Sequence, residues 1–114
     1  MPAVAELSWS CELRNAAQVH SRDMADNNFF SHTGSDGLSV SDRVTASGYS
    51  WSSVGENIAA GQATITQVMT GWLDSPGHCR NIMSSRSTEF GSALVTTADS
   101  DYSTYWTQVF ATGS

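Results

Sequence analysis

The sequence predicts an α+β fold in which helices cover a central antiparallel sheet. Three observations carry that expectation. Capped amphipathic helical segments dominate the first two thirds of the chain, strand-forming residues collect in the last third, and the two kinds do not alternate as parallel βαβ units would. With 114 residues the chain can bury one core and no second one, so it is read as a single domain over residues 1–114.

The first helix starts at Ser10, a capping residue, and carries Leu13, Ala16, Ala17, His20 and Met24 on one face. Glu12, Arg14, Asp23 and Asp26 occupy much of the remainder, and Asn27 and Asn28 end the helix. The loop Phe29 to Gly37 follows, with Phe29 and Phe30 able to anchor it and glycines permitting turns, so it can hold His32 in place. Ser39 with Asp42 makes a capping box for a short helix that Gly48 closes. The segment Tyr49 to Gly61 reads as mostly irregular. Thr64 with Gln67 opens a third helix, whose apolar stripe is Ile65, Val68, Met69, Trp72 and Leu73. Ser75 then caps a fourth, running from Pro76 to Met83, because proline at the first helical position needs no donor; His78 falls in its first turn. Glu89 to Thr97 and Tyr102 to Ala111 are rich in Val, Phe, Tyr, Trp and Thr and form a hairpin across the acidic turn Ala98 to Asp101.

Composition excludes several functions. The net charge is -6 and every basic residue is arginine, which argues against nucleic acid or an anionic membrane as partner. No apolar run is long enough to span a bilayer, and the opening MPAVAELSWS lacks the basic and apolar regions of a signal peptide, so an exported protein would be present here as its mature portion. Cys11 and Cys79 fit either one disulfide or two buried thiols. The abundance of Ser, Thr, Ala and Gly with few charges is the look of an exported domain, and an oxidising compartment favours the disulfide.

Four segments, FFSHTGSDG, GENIAAG, GWLDSPGHCRNIM and YWTQVF, stand in this order between about Leu7 and Phe110. Together they resemble the CAP superfamily of cysteine-rich secretory proteins, antigen 5 and pathogenesis-related proteins, in its bacterial exported branch. The resemblance implies an α-β-α sandwich and a secreted protein. It also implies an open cleft holding His32, Glu56 and His78. In eukaryotic relatives a second cleft glutamate stands three residues beyond the helix tryptophan; here that position, counted from Trp72, is Ser75, with Asp74 beside it.

Imidazole suits zinc or copper and a carboxylate supplies charge, so His32, Glu56 and His78 are the expected ligands of a divalent cation, zinc above all, with Asp74 and Ser75 at the cleft. The expected partner is a small ligand (lipid, glycan or peptide) or a cell-envelope component, bound by a monomer. Two other readings remain: a hydrolase in which Glu56 or His78 activates water or a serine such as Ser31, and a purely structural cell-wall domain. His20, on the apolar side of its helix, reads as a packed, hydrogen-bonded core residue. Trp72 and Trp106 read as core, like most of the tryptophans, and Trp51 is the aromatic to test against a ligand. Asp99 and Asp101 fall short of the oxygen count that calcium requires.

Overall fold

Ser10, Ser39 and Thr64 cap their helices as expected, and they set the order of the elements. In a computed structural model that describes residues 7–82, 87–98 and 100–113, the Ser10 hydroxyl accepts from the Leu13 amide at 3.2 Å and opens α1 (Cys11–Asn27). Asn28 ends it in the left-handed region, φ 50°, which asparagine tolerates better than most residues. Reciprocal capping boxes at Ser39/Asp42 and Thr64/Gln67 open α2 (Val40–Ala46) and α3 (Ile65–Asp74). Ser75 precedes α4 (Pro76–Ile82), and its carbonyl accepts the Cys79 amide at 2.8 Å. Met83, the expected end of that helix, Asp99 of the acidic turn and everything before Leu7 lie outside the described residues.

The expected hairpin is formed by β3 (Glu89–Thr96) and β4 (Thr104–Gly113), antiparallel with Glu89 opposite Ala111 and Thr96 opposite Thr104. Two strands were not legible. The segment read as irregular contains β2 (Trp51–Ala60), which pairs antiparallel with the other side of β4, Glu56 opposite Val109. The two-residue β1 (Ser8–Trp9) adds a parallel pairing to β3, so the sheet is mixed, in the order β1-β3-β4-β2.

Alternation along β4 makes the three layers. Tyr105, Val109 and Ala111 pack toward α1 with Met24, Leu13 and Ala16, while Trp106 packs the other way against Val68 and Trp72 of α3 and Ile82 of α4. The result is the α-β-α sandwich that the sequence resemblance implied. Along β2 the same alternation sends Val54 and Ile58 toward α1, and Ala59 toward α3. Glu56 and Asn57 therefore face opposite layers.

This layering overturns the disulfide. Cys11 begins α1 on one face of the sheet and Cys79 lies in α4 on the other, and the two form no bond. A disulfide requires Cα atoms within about 7 Å, which a sheet between two helices prevents. Cys11 is exposed rather than buried. The tryptophans divide evenly: Trp72 and Trp106 are buried, whereas Trp9 is 51% and Trp51 37% exposed.

Helix and sheet approach closely at Gly91 of β3, where an added Cβ would lie 2.0 Å from the Arg14 amide nitrogen and 2.5 Å from the Leu13 carbonyl carbon. Backbone atoms on both sides cannot yield as a flexible side chain would. Gly91→Ala is expected to cost about 3 kcal/mol or more, read from urea unfolding; a midpoint equal to that of the parent would contradict this packing.

Candidate functional site

The site begins with one buried carboxylate. Glu56, its side chain 2% exposed, is carried by β2 onto the α1/α2 side of the sheet, where its Oε2 accepts from Arg43 Nη2 at 2.5 Å. Its other oxygen, Oε1, lies 2.9 Å from His32 Nδ1 and 4.0 Å from His20 Nε2. Arg43 extends the network into the loop, its Nη1 donating to the backbone oxygens of His32 (3.2 Å) and Leu38 (3.3 Å). His20 holds the same loop at Ser31, whose carbonyl oxygen is 2.7 Å from His20 Nε2. Because a carbonyl only accepts, Nε2 carries the proton, and Nδ1 is left buried with no partner among the described residues.

These contacts hold an exposed ring. The His32 side chain is 57% exposed although its backbone and Nδ1 are both tied to buried groups. An ionised carboxylate only accepts, so Nδ1 donates its proton to Glu56 and neutral His32 presents its lone pair at Nε2.

His78 belongs to the opposite layer. Its Nδ1 is 2.9 Å from Ser75 Oγ and its carbonyl accepts from Asn57 Nδ2 at 3.3 Å. Asn81 reinforces the link, donating through Nδ2 to Asn57 Oδ1 at 2.9 Å and to the Glu56 carbonyl at 3.2 Å. Trp72 Nε1 caps a second carbonyl of this edge strand, that of Ile58, at 3.1 Å. The buried Asn57 thus ties α4 to the strand that carries Glu56. His78 and Ser75 line a cavity of about 300 Å³ whose other walls include Phe30, Gln62, Trp72 and Tyr102.

The structure therefore brings together His32 with Glu56, and Ser75 with His78, as two separate pairs. Glu56 does not stand as an open donor, since both its oxygens are engaged. Among the described residues no three of His, Cys, Asp and Glu gather closely enough to hold a metal ion. The three expected ligands, His32, Glu56 and His78, are therefore not gathered into one donor set. Asp74 is exposed at the end of α3. The Ser31 hydroxyl accepts from the Thr33 amide, and Trp51 Nε1 donates to Thr45 Oγ1. Arg43, Asn57 and Asn81 went unrecognised as site residues; a lone arginine in a short amphipathic helix carries no sequence signal of its own.

Burial pushes the His20 imidazole below its ordinary 6.5, and Arg43 adds to this, while Glu56 and the Ser31 contact pull the other way. The unfolded chain takes up this proton near pH 6.5 and the folded one resists it, so stability is full above that pH and falls as pH drops through it. Asp23, held down by its bonds from Ser35 and Asn27, acts only from about 3.8 downward. The slope of stability between these values is expected to flatten in His20→Gln, measured by urea unfolding across the pH series; an unchanged slope would assign it elsewhere.

A second expectation concerns the ion pair. Removing one partner leaves a buried charge, so Arg43→Met is expected to cost about 3–5 kcal/mol, while the double variant Arg43→Met/Glu56→Met recovers most of that. Additive losses would mean that the pair is not coupled.

A family model described as the cysteine-rich secretory protein family, CAP, matches residues 3–110. The uncharacterized protein YkwD of Bacillus subtilis is 36% identical over 98 residues, which is 86% of this chain and 36% of that protein. The uncharacterized membrane protein YlbC of the same organism is 34% identical over 88 residues, 77% of this chain and 25% of that protein. This chain thus spans about a third and a quarter of their lengths. Among solved structures, an extracellular protein containing an SCP domain from Bacillus anthracis superposes with a TM-score of 0.85 at 31% identity, covering 95% of this chain and 34% of that one. An outer surface protein of Borrelia burgdorferi superposes with a TM-score of 0.87 at 20% identity, covering 97% of this chain and 80% of that one, and so supports the fold alone.

Proposed function

The chain belongs to the cysteine-rich secretory protein (CAP) family, and from that premise we propose that it is an exported binding module. Its cavity between α3, α4 and the Phe30 loop takes a small ligand, and the Nε2 atoms of His32 and His78 hold a divalent cation, zinc by preference. The observation that carries the reading is the cost of holding His32. A buried Arg–Glu pair is no better for stability than well-packed apolar residues. Here such a pair, with a buried histidine, fixes the backbone and ring of an imidazole that is 57% exposed. Stability alone does not ask for that.

Export accords with the relative from Bacillus anthracis, which is described as extracellular. No helix among the described residues is long and apolar enough to cross a membrane.

Both histidines have Nδ1 engaged, His32 by Glu56 and His78 by Ser75, which leaves Nε2 as the donor nitrogen of each. A bound cation would supply a Lewis-acidic centre for a ligand oxygen or nitrogen. Zinc titration by calorimetry is expected to lose affinity in His32→Ala and in His78→Ala, and to weaken by about 10–100-fold in Glu56→Gln, which keeps shape but withdraws the carboxylate from Nδ1. Zinc affinity unchanged in both histidine variants would remove the cation from the proposal.

A further inference from the structure

We infer that the cavity beside His78 is a saccharide subsite. The inference rests on the reading of this region as a ligand site and names the ligand's chemistry. Neither Lys, Arg, Asp nor Glu is among its lining residues. A charged ligand group entering it would lose its hydration with nothing to pair with, so the occupant is neutral. Phe30 and Tyr102, respectively 50% and 47% exposed, stand at its rim with ring centroids 6.5 Å apart and planes inclined at 54°. Such faces, negative at the centre, suit the polarised C–H faces of a sugar ring.

The polar side of the ligand is specified by Gln62. Its backbone oxygen is fixed by Thr104 Oγ1 at 2.8 Å and by Trp106 Nε1 at 3.0 Å, yet its side-chain Oε1 is buried without a partner among the described residues. An alkyl chain packed there would leave that acceptor unsatisfied; a hydroxyl would satisfy it. Ser75 and His78 add further hydrogen-bonding groups on the opposite wall. Trp72 contributes only its apolar ring, because Nε1 is committed to the Ile58 carbonyl. An apolar ligand also has a better place nearby, a cavity of about 540 Å³ walled chiefly by side chains such as Ile65, Met69, Leu94 and Phe110. A neutral ligand with one apolar face and several hydroxyls is a saccharide.

The test is calorimetry of the intact chain with chitotriose, cellotriose and maltotriose, and with trialanine as the peptide comparison. Saturable binding of at least one saccharide is expected, weakened about tenfold or more by Tyr102→Ala and by Gln62→Leu, both at partly exposed positions, with thermal midpoints unchanged. Binding of no saccharide, binding undiminished in both variants, or binding of trialanine instead would overturn the inference. Zinc binding is measured in parallel: if it is retained and histidine-dependent while no saccharide binds, the saccharide is wrong and the binding module stands. Loss of both overturns both.

Discussion

The buried pair of Arg43 and Glu56 is the contact on which the candidate site depends. One end belongs to a short helix, the other to the edge strand, and among the described residues no other ion pair reaches Glu56 from a side chain that is charged at all ordinary pH values. Arg43 also donates through Nη1 to two loop carbonyls, so a single guanidinium fixes helix, strand and loop relative to one another. His20 adds a second buried donor to the same loop from α1. Three elements distant in sequence thus converge on the few residues around His32, and a change in any of them is felt at one exposed ring.

Much of the fold was legible because its signals are local. Ser10, Ser39 and Thr64 announce helix starts through contacts three residues away, and the strand-rich run from Glu89 onward reads as a hairpin without tertiary information. The missed β2 is instructive. Its centre, Gly55-Glu56-Asn57, has little strand propensity and no apolar alternation. Glu56 is buried because Arg43 awaits it and Asn57 because His78 and Asn81 do, so polar tertiary partners replace the apolar pattern from which a strand is normally recognised. The residues that make this strand unreadable are those that build the site.

The site was legible only in part, for the same reason. His32 and Glu56 do meet, and His20 is the packed, hydrogen-bonded histidine that its place on the apolar face implied. What motif spacing could not supply was the direction of each side chain. Adjacent residues on a strand point to opposite faces, so GEN reads as one motif in sequence but divides between two layers in space. The cysteines failed in the same way: the sheet that lies between their helices had not been placed, and its missing strand was the one that ties α4 down.

The two histidines of the proposed cation site are consequently held by mechanisms of different range. His78 is oriented by Ser75, three residues earlier in the chain, a contact that needs little more than α4 itself. His32 is oriented by Glu56 across 24 positions, and its backbone is held by Arg43 from yet another element. The Ser75 hydroxyl orients one ring without adding a charge, leaving Glu56 and its arginine as the charged partners around the other. Local opening of the Phe30–Leu38 loop would therefore release His32 while His78 kept its place, and any ligand or cation that needs both rings would be bound only by the closed loop. Affinity for such a ligand is then tied to the Arg43–Glu56 contact even though neither residue need touch it.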